Sequence, residues 1–192
     1  EFHSLTVIPT FLGAHEVPPE YRGVEDGMRK YADLVINEMI PAVAEEGLAD
    51  YCDIFTESGV FDVETSKKVL QAALDAGLEL RVHVDQLTPL GGAEMAAGLK
   101  AVSADHLEFI SDEGVRAMAE AGTVAGLLPG CVFFLMMEEY PPARKLIDAG
   151  VPVLLATDFN PGSSFCESMP MTMALACLYM RMSIAEAITA ST

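Results

Sequence analysis

Three times in this chain a helical stretch stops at a glycine and a strand-type run begins at once: Ala76-Gly77-Leu78, Ala121-Gly122-Thr123 and Ala149-Gly150-Val151, with Glu46-Gly47-Leu48 a looser fourth copy. Glycine accepts the left-handed conformation that ends a helix, so each junction reads as helix-to-strand wiring. Repeating that wiring commits the chain to alternating strands and helices around a parallel sheet.

Strand signals fall at residues 5–13, 51–56, 78–84, 101–104, 124–128 and at the run from Val153, with ends near His15, Glu57, His83, His106, Pro129 and Asp158. Helical spacing is found over residues 25–38, where Pro41 then ends or kinks the helix, and over 64–76, 92–99, 141–149, 169–180 and 183–190. Ser111 followed by Asp112 and Glu113 is an N-cap with an acidic first turn. Six consecutive strand-helix units with polar strand ends suit an α/β fold of the (β/α)8 TIM-barrel type, incomplete here, with about strands three to eight present. No Gly-x-Gly-x-x-Gly follows any strand, which argues against a dinucleotide-binding sheet. Residues 1–192 show no linker or composition break and read as one partial barrel domain. The chain opens without Met on the strand-like Glu1-Phe2-His3-Ser4 and ends on a helix with no terminator, so it reads as an internal piece of a longer protein.

Eleven basic against 29 acidic residues give a net charge of −18, which repels phosphate backbones and anionic lipid surfaces and excludes nucleic-acid and membrane partners. The apolar run over residues 124–137 is interrupted by Pro129-Gly130 and too short to span a bilayer. Cys52, Cys131, Cys166 and Cys177 form no C-x-x-C pair and read as reduced thiols of a cytoplasmic protein.

Three of the four histidines, His15, His83 and His106, fall at strand ends, on the same rim as Asp158. Singly, each has a bland explanation: a structural imidazole, or a carboxylate capping the turn after its strand. Together, neutral imidazole and carboxylate form the ligand set of a Zn²⁺ or Fe²⁺ hydrolytic site with one open position. His3 lies before the first strand's core and has no role. Glu57 either lines the cavity or pairs locally. The methionines between Met169 and Met182 read as core packing, and Glu45-Glu46 and Glu138-Glu139 as solvated faces.

Four segments carry a family resemblance: Thr10-Phe11-Leu12-Gly13-Ala14-His15-Glu16-Val17-Pro18-Pro19-Glu20-Tyr21, Val82-His83-Val84-Asp85-Gln86, Ser103-Ala104-Asp105-His106-Leu107-Glu108, and Ala156-Thr157-Asp158-Phe159-Asn160-Pro161-Gly162-Ser163. They closely resemble the imidazolonepropionases, amidohydrolase-superfamily enzymes of histidine degradation, and the likeness runs along essentially the whole chain. The resemblance implies hydrolytic opening of 4-imidazolone-5-propanoate, a small-molecule substrate, to N-formimidoyl-L-glutamate. It implies one divalent metal, zinc or iron, held by His83 and by Asp158, which also handles the proton of the attacking water. His106 would polarise the substrate carbonyl, and His15 would contact substrate. Gln86 would contact the imidazolone ring, at a position that some members fill with an acid; an amide takes no proton, so a base role there is doubtful. Asn160, Gly162 and Ser163 would hold substrate and product. The resemblance is also the only support for a homodimer.

The superfamily's first strand carries a His-x-His pair that completes the metal site, and no His-x-His exists in this sequence; the upstream Arg and Tyr expected to bind the propionate are also absent. With half a metal site and six strands, the 192-residue chain alone is expected to be inactive and poorly stable. Two other readings stay open: a different metal-dependent amidohydrolase, such as a deaminase or cyclic-amide hydrolase, and a non-enzymatic barrel remnant.

Overall fold

The computed structural model of the protein describes residues 4–192, so the strand-like opening at Glu1, Phe2 and His3 lies outside the described residues. The elements alternate as the glycine junctions require. In order they are β1 (Thr10–Ala14), α1 (Gly27–Leu34), α2 (Ile40–Glu46), β2 (Tyr51–Thr56), α3 (Val63–Asp75), β3 (Glu79–Val84), α4 (Gly92–Gly98), β4 (Ser103–His106), α5 (Asp112–Ala121), β5 (Val124–Leu127), α6 (Pro129–Phe134), α7 (Ala143–Asp148), β6 (Val153–Leu155), α8 (Met169–Tyr179) and α9 (Ile184–Ala190). The strands form one six-stranded sheet in the order β1-β2-β3-β4-β5-β6, every neighbouring pair parallel. This is a partial TIM barrel, open between β1 and β6 among the described residues. Gly47, Gly77, Gly122 and Gly150 have φ of +61°, +88°, +74° and +83°, the left-handed conformation their junctions called for.

Three local outcomes differ from the sequence-based expectations. The first strand starts at Thr10, and the residues before it run exposed, with Val7 79% and Ile8 52% accessible. At Pro41 the helix neither ends nor breaks, because a π-helical turn at Val35–Met39 joins α1 to α2 and the Ile40 N–H donates to Val35 O. Proline has no N–H for the ladder, and the wider turn accommodates that loss. Directly after β5, Pro129 starts the short helix α6, at a place where the sequence reading set no helix.

Register fixes the two faces of the sheet. Ile54, Val82 and Ala104 are in register on one face, where they bury against helix residues such as Val69, Leu70, Ala96 and Met118 to form the core. The other face carries an in-register row of Phe55, His83, Asp105, Gly126 and Leu154. A methyl at Gly126 would sit 2.0 Å from Asp105 Oδ1, so glycine there makes room for the carboxylate to lie across β5. Met180 and Met182 are buried in the core as expected, and all four cysteines are free thiols. Among the described residues no helix is long and apolar enough to cross a membrane.

Candidate active site

At the rim the chain turns through left-handed backbone at Asp85, at His106 and Leu107, and at Asp158. Asp85, just past β3, has a φ of +49° and is fixed by its own carboxylate, which accepts from Leu90 N at 3.0 Å, Gly92 N at 3.1 Å and Ala93 N at 2.9 Å. That carboxylate caps the start of α4 and aims the adjacent Gln86 inward. His106 pairs in register with Val84, on the helix side of the sheet, yet its ring lies 5.2 Å from that of His83 on the inner side. The left-handed φ of +80° at His106 and +69° at Leu107 turns the chain at this point. Asp158 has a φ of +51°. Such conformations cost about 1–3 kcal/mol each and gather at sites that use them.

All eight residues singled out from the sequence, His15, His83, Gln86, His106, Asp158, Asn160, Gly162 and Ser163, line a single cleft of about 490 Å³ at the carboxyl ends of the strands. Phe55, Leu12, Leu87 and Leu135 supply apolar wall. The His15 ring stacks on Phe55 at 5.5 Å and meets the edge of His83 at 5.7 Å. Glu57 is not part of the cleft: it is buried, and its carboxylate accepts from Ser58 N at 2.7 Å, from Leu87 N at 2.8 Å and from the Thr88 hydroxyl, tying the loop after β3 to the end of β2.

Beneath the cleft lie carboxylates that the strand-end reading passed over. Asp53 Oδ1 is 2.9 Å from His83 Nδ1, so the ring is oriented from below and its Nε2 is left for the cleft. Asp53, His83 and Asp105 bring ligand-type atoms within 4.8 Å of one another. Burial alone would lower His83, but Asp53, with Asp105 and Asp158 adding to it, pushes it up to about 9. Burial raises Asp105 to about 6, reinforced by the Asp53 charge. His106 is driven the other way, down to about 3, by burial and by the charge of His83. His15 is lowered by burial and by His83. His106 and His15 are thus both biased toward the neutral form, and His83, favoured as a cation while its Nε2 is free, must give up that proton to bind a metal. The available signal for Asp53 was an acid in mid-strand, in Tyr51-Cys52-Asp53-Ile54-Phe55, where period two places it on the face opposite Cys52 and Ile54.

Gln86 is buried and donates from Nε2 to Cys131 Sγ at 3.4 Å. Burial pushes the Cys131 thiol up to about 11, so the thiol keeps its proton. The Asn160-Pro161-Gly162-Ser163 turn is closed on itself. Asn160 Oδ1 accepts from Gly162 N and Ser163 N, each at 2.8 Å, while its Nδ2 donates to the Asp158 carbonyl at 2.7 Å. Asn160 therefore shapes the turn and ties it to Asp158. Asp53, His83 and Asp105 offer a mixed nitrogen and oxygen donor set of a kind that can hold a divalent metal ion.

The chain is 50% identical over 190 residues to an imidazolonepropionase of Alkaliphilus metalliredigens, covering 99% of this chain and 44% of that protein. Imidazolonepropionases of Bacteroides thetaiotaomicron and Geobacillus kaustophilus are each 52% identical, over 100% and 99% of this chain and 45% and 44% of their own lengths. The chain thus spans a little under half the length of the curated relatives it matches. Among solved structures it superposes on an amidohydrolase from a Sargasso Sea environmental sample with a TM-score of 0.65 at 18% identity, covering 94% of this chain and 44% of that one. It superposes on A. niger ochratoxinase with a TM-score of 0.65 at 16% identity, over 96% and 52% of the two chains. Likeness at that identity concerns the fold. The sequence profile of the Amidohydrolase family matches residues 6–189, and this chain, with its partial barrel and rim cleft, belongs to the amidohydrolase family.

Proposed function

We propose that this chain supplies the strand-three-to-eight portion of an imidazolonepropionase, a cytoplasmic hydrolase of histidine degradation that opens 4-imidazolone-5-propanoate to N-formimidoyl-L-glutamate. The observation that carries this reading is the convergence of eight residues from four separate segments on one cleft, in a chain half identical to imidazolonepropionases along nearly its whole length.

His83 and Asp158, with ligands from outside this chain, would hold a divalent zinc or iron ion, which would supply a water acidified toward neutral pH. The chain's own groups do the rest. Asp158 accepts the proton that the water loses as its oxygen bonds to the ring carbonyl carbon. His106 donates a hydrogen bond to the carbonyl oxygen as that oxygen gains charge, and its neutrality keeps it a donor of fixed geometry. The ring C–N bond then breaks, and the departing nitrogen takes the proton from Asp158, so one water is consumed and the carboxylate and formimidoyl amine are released. His15, stacked on Phe55, borders the substrate, and Gln86 orients the ring through its amide, while the Asn160 turn holds the Gly162-Ser163 side of the cleft.

The test is product analysis on the full-length protein that carries this chain. Imidazolone consumption with formation of the formimidoyl amino acid supports the reading. Release of ammonia from an aminated ring instead would place the protein among deaminases. Purification without stoichiometric zinc or iron, and without turnover, would leave a barrel without this chemistry.

A further inference from the structure

One buried pair beside the cleft is left over from the proposed reaction. His106 Nδ1 and both carboxylate oxygens of Glu108 have no hydrogen-bond partner among the described residues. Nδ1 and Glu108 Oε1 lie 3.8 Å apart, on side chains that are 3% and 0% exposed. Each unpaired buried polar atom costs about 1–3 kcal/mol, and an apolar side chain of similar size at position 108 would avoid that cost. The two side chains flank the doubly left-handed His106-Leu107 turn, so the strain and the unmet hydrogen-bonding capacity sit together.

The ring of His106 faces the cleft, and to donate there it must carry its proton on Nε2. That leaves Nδ1 as an acceptor, which a carboxylate cannot satisfy and a protonated carboxylic acid can. We propose that Glu108 is a positioning residue for His106: its neutral carboxyl O–H donates to Nδ1, fixes the tautomer with the proton on Nε2, and holds that N–H toward the reacting carbonyl. The proposal rests on the carbonyl-polarising role of His106 given above. Burial favours the neutral form of the acid, pushing Glu108 up to about 8, with its own backbone amide only partly opposing and Asp158 and Glu57 adding to the rise. The 3.8 Å separation needs to close by less than about 1 Å to reach hydrogen-bond length, and catalytic hydrogen bonds commonly tighten when substrate engages.

The experiment is ¹⁵N-histidine NMR on the full-length protein, with kinetics of two variants. The expected result is His106 in the Nε2–H tautomer with a hydrogen-bonded Nδ1. E108Q, whose amide N–H also donates, keeps that tautomer and a kcat within about threefold of the parent. E108M, close in size but without a donor, loses the Nδ1 hydrogen bond and drops kcat by about 10- to 100-fold with KM nearly unchanged. An Nδ1–H tautomer in the parent, an E108Q as impaired as E108M, or an E108M with full kcat would each overturn the proposal. If E108M fails to fold, the parent tautomer and E108Q still decide. Because the tautomer is read without substrate, an intact Nε2–H tautomer with no imidazolone turnover supports the pairing while overturning the proposed reaction.

Discussion

Asp53 shows how a residue on no recognisable motif can govern one that is. Its carboxylate on His83 Nδ1 fixes which nitrogen faces the cleft, so D53N, which can present a donor to that nitrogen, lets the ring turn or change tautomer. Metal affinity of the full-length protein, measured by competition with a chelator, is expected to fall about 10- to 100-fold in D53N; unchanged affinity would mean that His83 is oriented by packing alone. A second prediction concerns pH. The folded chain holds the Glu108 proton up to about 8, whereas an unfolded glutamate releases it near its ordinary 4.5, so folding binds a proton between those values. Its contribution is favourable at low pH and is lost as pH rises through 8. E108Q removes that loss, so its stability relative to the parent should climb between pH 5 and pH 9, by on the order of a few kcal/mol in denaturant titrations. A pH-independent difference would show that Glu108 does not stay protonated. At this scale the sequence exposed the residues that sit at strand ends and hid those that act from beneath. His15, His83, His106 and Asp158 stood out because a polar group terminates an apolar run. Asp53 and Asp105 did not, because an inward carboxylate within a strand is identified only once neighbouring strands are in register, and Glu108 did not because it lies in the turn just past β4, where an acid is ordinary.

At the scale of elements, the glycine junctions read correctly because one residue type meets one backbone need, a positive φ, with no help from tertiary structure. Ser111 likewise caps α5, its hydroxyl accepting from Gly114 N at 2.8 Å, and Ser183 and Glu186 form a capping box on α9. Pro41 was less legible, since whether a proline ends a helix or is absorbed by a π turn depends on what the helix packs against on both sides of it. Glu57 was ambiguous for a similar reason, being a strand-end acid whose partners lie about 30 residues away in the loop after β3. That clamp makes a prediction. In E57A the Leu87 and Thr88 amides lose their acceptor, and the loop that carries the cleft residues Gln86 and Leu87 comes free of β2. Stability should drop by roughly 2 kcal/mol or more, since hydrogen bonds to a buried charged group are lost together. Hydrogen exchange at Leu87 and Thr88 should accelerate while α3 exchanges as before; uniform acceleration would assign Glu57 to the global core instead.

On the scale of the whole molecule, six strands curve toward a barrel that the described residues do not close. Between the sheet and its helices a continuous set of buried apolar side chains forms the core. The inner face is different. His83, Asp105 and the half-buried Phe55 and Leu154 face a space that two further strands would line in an eight-stranded barrel. The outer edges of β1 and β6 carry no strand partner among the described residues, and each has apolar groups beside it: Val7 and Ile8 before β1, and Phe159 and Phe165, both 62% exposed, after β6. A flat edge flanked by exposed β-branched residues recruits other edges. The strong negative charge opposes association only within a Debye length, about 8 Å at physiological salt. The isolated 192-residue chain is therefore expected to self-associate at micromolar concentration and to show no imidazolone turnover with or without added zinc or iron. Analytical ultracentrifugation across a concentration series, paired with a turnover assay, checks both halves. If the β1 edge is the point of contact, charging it with V7K and I8K should restore monomer without restoring activity, because the proposed reaction draws its remaining metal ligands and its carboxylate-binding groups from outside this chain. A monomeric parent chain with metal-dependent turnover would mean that six strands and two cleft-side ligands suffice, and the proposed division of labour across the barrel would be wrong.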